Sequence, residues 1–162
     1  MKTIAVIGSK NSGKTTLVSK LVNYFSSQSI KVGVIKHAHH SFEIDHPNTD
    51  SYKIRKSGAY KTTIISEKRL AFIEERVNEN EIDLNSLMDM NEGCEVIILE
   101  GFKKRKEIPK IEVFLKRNKK DHLYKTIENV RLLITDDNEN HPLRSLNHDQ
   151  IPLIANFILN VS

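Results

Sequence analysis

The chain has 162 residues, with 25 Lys and Arg against 21 Asp and Glu for a formal charge of +4, 38% hydrophobic and 28% charged residues, and one cysteine. That length suits one ordinary domain with a real core, the composition excludes wholesale disorder, and a lone Cys94 excludes both an intramolecular disulfide and a cysteine-rich zinc site. No apolar run makes a signal peptide or reaches the ~20 residues of a membrane helix, so the expectation is a cytoplasmic protein with no membrane partner.

Thr3–Ile7 is a short apolar run rich in β-branched residues that ends in glycine, and it predicts a strand. Helical spacing at Leu17, Val18, Leu21, Val22 and Phe25 predicts a helix of about four turns after it. Lys31–Ile35 is the second strand, which completes a βαβ unit and demands a parallel sheet, with both strands expected to be buried on two faces. A polar loop from His37 to Asn48 precedes a short helix, Asp50–Lys56, stopped by Gly58. Thr62–Ser66 and Leu70–Glu74 predict a strand pair, and Asp83–Met90 a helix with Asp83 as its N-cap. Glu95–Leu99, Ile111–Leu115 and Val130–Ile134 are further strands, and Asp149–Leu159 is a last helix with Pro152 in its first turn. With no repeat or linker, the expectation is a single nucleotide-binding domain over residues 1–162. Its fold class is α/β, a mostly parallel twisted sheet flanked by helices with an added antiparallel pair.

Between the first strand and the first helix, Gly8-Ser9-Lys10-Asn11-Ser12-Gly13-Lys14-Thr15 matches G-x-x-x-x-G-K-[ST] in the context that motif requires. Successive backbone N–H groups must point inward at phosphate oxygens, which Gly8 and Gly13 permit, so Asn11, Ser12 and Thr16 join them as candidate phosphate contacts. Lys14 would reach the β- and γ-phosphates and Thr15 would ligate Mg²⁺. A second acidic contact to the ion is expected at the end of a buried strand, and Glu100 closes Val96-Ile97-Ile98-Leu99-Glu100. Lys14 and Glu100 are therefore the candidate catalytic residues.

The loop with His37, His39, His40, Asp45, His46 and Asp50 lacks the spacing of a tetrahedral zinc site. It leaves the carboxyl end of the second strand, where open α/β sheets place their ligands, although a solvated surface loop is the plainer alternative. The phosphate loop, Lys36-His37-Ala38-His39-His40 with Asp45, Asp50-Ser51 with Arg55 and Ser57-Gly58-Ala59, Leu99-Glu100-Gly101-Phe102-Lys103, and Pro109-Lys110-Ile111-Glu112-Val113 together resemble the MobB family of molybdopterin-guanine dinucleotide biosynthesis proteins. The resemblance covers most of the chain in register. It implies a P-loop domain that binds GTP with Mg²⁺, hydrolyses it weakly, forms a homodimer and assists a MobA-type guanylyltransferase in attaching GMP to molybdopterin. It also implies that Asp45 faces the magnesium beside Thr15 and Glu100, and that His39, His40, Asp50 and Arg55 lie near the nucleotide. Where the family has an aspartate after the two histidines and a Gly-Lys pair before the later aspartate, this chain has Ser41, Asn48 and Thr49.

Asn118-Lys119-Lys120-Asp121 matches N-K-x-D, the guanine-reading sequence of many GTPases. Against it, the segment after Glu100 leaves no room for the crossover helix that would bring the next strand alongside in parallel, so chance explains the match equally well. Thr135-Asp136-Asp137 is the other candidate base loop. From Phe102 to Lys120 there are nine basic and two acidic residues, a net of 9 − 2 = +7, leaving 4 − 7 = −3 elsewhere. Alternation of Ile111, Val113 and Leu115 with Glu112 and Lys116 predicts a strand with one apolar and one mainly charged face. This basic stretch offers too little aromatic surface for nucleic acid and suits a phosphorylated ligand or an acidic partner better. A small-molecule kinase with Lys103–Arg117 as a lid over the phosphates is the alternative function.

Overall fold

The computed structural model describes residues 1–38, 42–76, 83–118 and 120–161. In chain order its elements are β1 (Lys2–Gly8), α1 (Lys14–Ser27), β2 (Val32–Lys36), α2 (Asp50–Lys56), β3 (Lys61–Ser66), β4 (Arg69–Glu74), α3 (Leu84–Asp89), β5 (Val96–Glu100), β6 (Lys110–Phe114), β7 (Val130–Thr135), β8 (Ser145–Leu146) and α4 (Ile151–Asn160), with 3₁₀ turns at Lys116–Asn118 and Leu123–Lys125. They divide into two compact units, one formed by Met1–His37 with Leu84–Ser162 and the other by Ala38–Asp83.

The first unit is a six-stranded sheet in the order β2-β5-β1-β6-β7-β8, with every neighbouring pair parallel. Alternate residues of the central strands β1 and β5 enter two separate cores. Ile4, Val6, Val96, Ile98, Ile111, Val113, Leu132 and Ile134 meet α1, through Leu17, Leu21 and Phe25, and α4, through Ile154 and Ile158. On the opposite face Ala5, Ile7, Ile97 and Leu99 are covered by Leu84 and Met88 of α3 and by the segment between β5 and β6. β2 is an edge strand, so Val34 keeps 43% of its surface exposed, contrary to the expectation of burial on both faces.

That segment between β5 and β6 overturns the argument from crossover length. Residues 101–109 cross β1 without a helix. Gly101 N–H donates to Val6 O at 3.0 Å, Ala5 N–H donates to Pro109 O at 2.9 Å, and Ile108 is only 6% exposed among the residues of the second core. A buried anchor and strand-like backbone bonds do what a crossover helix ordinarily does. β6 therefore lies parallel to β1 on the side opposite β5.

Its interior position also corrects the expected charged face. Lys110 is fully buried and Glu112 1% exposed. Lys110 Nζ donates to the carbonyls of Ile108 at 2.9 Å and Glu128 at 3.1 Å, while Glu112 accepts the N–H groups of Leu123 at 2.7 Å and Tyr124 at 2.9 Å. Paired in this way, buried charges fasten the connections on either side of β6 instead of facing water. The basic stretch is therefore not one surface, and with its central strand inside the sheet it cannot swing as a lid.

The second unit contains α2 and the antiparallel β3–β4 pair, in register from Lys61↔Glu74 to Ser66↔Arg69. Among the described residues no helix is long and apolar enough to cross a membrane.

Ile108→Ala is expected to cost roughly 2–5 kcal/mol, the usual penalty for emptying a buried Ile site. Chemical denaturation followed by circular dichroism measures it; a loss below about 1 kcal/mol would mean that the crossover is held by its backbone bonds alone.

Candidate functional site

β1 is the strand at which the winding reverses, with β5 on one side and β6 on the other. In open α/β sheets the crevice beyond the carboxyl ends at such a point is the ligand site. The phosphate loop leaves β1 there. A Cβ at Gly8 would lie 2.4 Å from Ser12 Oγ and 2.5 Å from the backbone oxygen of Val113, so only glycine fits. Gly13 precedes α1 in the left-handed region with φ 89°, and no side chain caps the helix. The first N–H groups of α1 are thus left to an anion.

The charged groups converge on this turn. Thr15 Oγ1 donates to Glu100 Oε1 at 3.1 Å, and Lys36 Nζ lies 3.2 Å from the same oxygen. Lys14 Nζ folds back onto the loop, donating to Ser9 O at 2.8 Å and Gly8 O at 3.3 Å. Burial holds its ammonium below the usual lysine range; Glu100 opposes this, while Lys103 and Lys36 add to it. Lys14 thus feels two other ammonium groups and one carboxylate, a surplus of positive charge suited to a polyphosphate.

Thr15 and Glu100 together offer hydroxyl and carboxylate oxygens, the all-oxygen donor chemistry of Mg²⁺. Ser12 Oγ is buried beside Gly8 and has no hydrogen-bond partner, as expected of a loop whose polar atoms await a ligand. The residues present fit a magnesium nucleotide.

Asp45, Asp50 and Arg55 belong to the other unit. Asp45 Oδ1 accepts from Thr49 Oγ1 at 2.9 Å, His46 N at 3.0 Å and Ser51 Oγ at 3.1 Å, and its buried Oδ2 has no partner. Burial pushes this carboxyl upward, but the bonds from Thr49, Ser51 and His46, with Arg55 nearby, outweigh it and leave it below its ordinary range. Asp50 is exposed in the first turn of α2, 3.6 Å from Lys53. Arg55 is buried, with one terminal nitrogen on Glu75 at 2.7 Å and the other on Glu43. Two of the three departures from the family pattern, Asn48 and Thr49, have local explanations. Asn48 adopts φ 79°, which asparagine tolerates, and Thr49 is the N-cap of α2, its Oγ1 accepting from Tyr52 N at 3.2 Å. His39, His40 and Ser41 lie outside the described residues.

Several neighbours of the phosphate loop carry no local signal. Lys36 follows the predicted strand Lys31–Ile35, and only the pairing of β2 with β5 sets it in register with Glu100. Asn118 Nδ2 donates to Ser9 Oγ at 3.3 Å, bringing the N-K-x-D segment to the loop across 109 positions. Asp136, the alternative base contact, instead accepts Lys116 N–H at 2.8 Å, and Thr135 Oγ1 donates to Asp137 Oδ2 at 3.0 Å. His148, from the turn before α4, lies against Gly13, where a Cβ would come within 3.2 Å of its ring, and its Nε2 is buried and unpartnered. Burial lowers its pKa below the usual histidine value; Lys20 adds to this, and Asp149 and Asp136 oppose it.

A family model described as molybdopterin guanine dinucleotide synthesis protein B matches residues 3–136. The chain is 43% identical over 105 residues to the molybdopterin-guanine dinucleotide biosynthesis adapter protein of Escherichia coli K12, covering 63% of this chain and 59% of that protein, so it spans under two thirds of that relative's length. Against the adapter protein of the same description from Haemophilus influenzae it is 30% identical over 161 residues, covering 97% of this chain and 87% of that protein. A crystal structure of Bacillus subtilis MobB superposes with a TM-score of 0.75 at 24% identity, over 98% of this chain and 96% of that one, a likeness of fold.

Because burial lowers the His148 pKa in the folded chain, the unfolded chain binds more protons as the pH drops below about 6.5, and stability falls with it. Thermal midpoints measured between pH 7 and pH 5 are expected to fall more steeply for the natural sequence than for His148→Asn. Parallel curves would mean that His148 is freely hydrated.

Proposed function

The chain belongs to the molybdopterin guanine dinucleotide synthesis protein B (MobB) family, and from that premise we propose that it is a GTP-binding accessory protein of molybdenum cofactor biosynthesis. In this reading it assists a MobA-type guanylyltransferase in attaching GMP to molybdopterin, with weak GTP hydrolysis at most. The observation that carries it is the meeting of Thr15, Glu100 and Lys36 beside the Gly8–Thr15 loop.

Each residue has a definite task. Backbone N–H groups from Asn11 to Thr16 would cradle the phosphates, with Gly8 and Gly13 giving the close approach. Lys14, released from the Ser9 and Gly8 carbonyls, would neutralise the β- and γ-phosphates, and Lys36 would keep the Glu100 side chain oriented. Thr15 and Glu100 would hold Mg²⁺, which when bound offsets the charge of the phosphate oxygens. Asp45, with one free carboxylate oxygen and a lowered pKa, is the further acidic group proposed for this ion. Asp50 and His39 are proposed near the nucleotide. Arg55 spends its terminal nitrogens on Glu43 and Glu75, which supports a part in shaping that unit.

For guanine, the Asn118 contact to Ser9 favours the loop after β6, where the exposed Asp121 carboxylate would accept from the base. A homodimer is proposed through the β3–β4 pair. Ile65, 78% exposed, and its register partner Leu70, 66% exposed, share a face with Phe72, an apolar patch of the kind that joins subunits.

Titration calorimetry with Mg²⁺ is expected to give at least tenfold tighter binding of GTP than ATP. Lys14→Ala should lose about two orders of magnitude for both nucleotides, and Asp121→Ala about tenfold for GTP only. Equal binding of ATP and GTP would remove the guanine assignment, and normal binding by Lys14→Ala would remove the phosphate loop itself. By sedimentation equilibrium the natural chain should be dimeric and Ile65→Asp monomeric; a monomeric natural chain overturns the dimer.

A further inference from the structure

Three side chains with metal-ligand chemistry converge where the loops after β6 and β7 meet. His122 precedes the Leu123–Lys125 turn, Asp137 follows β7, and His141 comes four residues later. One ligand atom from each lies within 4.8 Å of the others. The side chains of His122, Asp137 and His141 are 11%, 1% and 4% exposed.

His141 Nε2 and Asp137 Oδ1 are 2.6 Å apart, and the same oxygen accepts Glu139 N–H at 3.2 Å. A hydrogen-bonded pair closing the loop after β7 explains those two residues and leaves His122 unexplained. Its ring is fixed against Phe114 at 3.8 Å and Tyr124 at 4.9 Å, with His141 edge-on at 4.9 Å. Its Nδ1 is buried without a hydrogen-bond partner, 4.0 Å from a Glu112 oxygen already committed to Leu123 N–H. An orphaned imidazole nitrogen in such a place is costly unless something binds it.

We infer that His122, Asp137 and His141 form a binding site for a divalent transition-metal ion of the zinc class, separate from the magnesium site of the phosphate loop. Two imidazoles and one carboxylate are a three-ligand zinc set that leaves a fourth position for water, and they do not suit magnesium, which prefers oxygen. Zinc bonds of about 2.0–2.2 Å place tetrahedral ligand atoms roughly 3.3 Å apart. The ion takes the place of the hydrogen bond between Asp137 and His141, whose ring then ligates through Nε2 and carries its one proton on Nδ1, and the more distant ligand atom closes in by no more than roughly 1.5 Å. The bound ion staples the loop carrying Asn118 and Asp121 to the one that follows β7.

The test is titration of the full-length, nucleotide-free protein with Co²⁺, followed by visible absorption, and competition with Zn²⁺. One equivalent should bind with the strong bands of a tetrahedral nitrogen and oxygen site and raise the thermal midpoint. His122→Gln and His141→Gln should each weaken binding at least tenfold, whereas Lys14→Ala and the His39→Gln/His40→Gln double variant should leave it intact. The inference fails if the natural chain binds no stoichiometric metal. It fails equally if binding survives both His122→Gln and His141→Gln, or is lost with His39→Gln/His40→Gln.

Discussion

Parallel pairing of β1 with β5 on one side and β6 on the other is the constraint on which the first unit depends. The register Val6↔Glu100 sets the last carboxylate of β5 beside the turn out of β1, where Thr15 can reach it. The register Lys36↔Glu100 adds a cation from the neighbouring edge strand. A carboxylate only 8% exposed would be costly alone. With a hydroxyl and an ammonium on one oxygen it is stable without a ligand and already placed for a cation. The same pairing brings Val113 O so close to Gly8 that the phosphate loop has one permitted path.

The interior of this unit is more polar than strand periodicity suggests. Alternation in β6 has the period of a half-exposed strand, yet both faces are covered. Lys110 and Glu112 resolve the conflict because each is the hub of backbone bonds from segments that would otherwise leave buried carbonyl and N–H groups unmet. A charged residue in a strand therefore marks either a wet face or an irregular neighbouring connection, and period-2 patterning does not distinguish them. The helix-free crossover and the 3₁₀ turn after His122 are such connections.

The second unit is held by charge and capping more than by an apolar core. Arg55 joins Glu43 and Glu75, from either side of it in sequence, and Thr49 caps α2 while donating to Asp45. Asn48 turns the chain in the left-handed region and Thr49 secures the helix start with its hydroxyl.

By itself the sequence determined what is encoded over short windows. It specified the βαβ start, the phosphate loop, the antiparallel pair, the short α2 stopped by Gly58 and the buried strand ending in Glu100, because turn dihedrals and hydrophobic period act on adjacent residues. Only the tertiary structure decided which distant groups share a site. Lys36 reaches Glu100 across 64 positions, Asn118 reaches Ser9 across 109, His148 covers Gly13, and His122 meets Asp137 and His141. These contacts follow from strand order and from a crossover that needs no helix, and neither leaves a periodic trace. The physical reason is that a strand's neighbours are chosen by burial of whole faces, summed over many residues, whereas a turn is chosen by the few residues that form it.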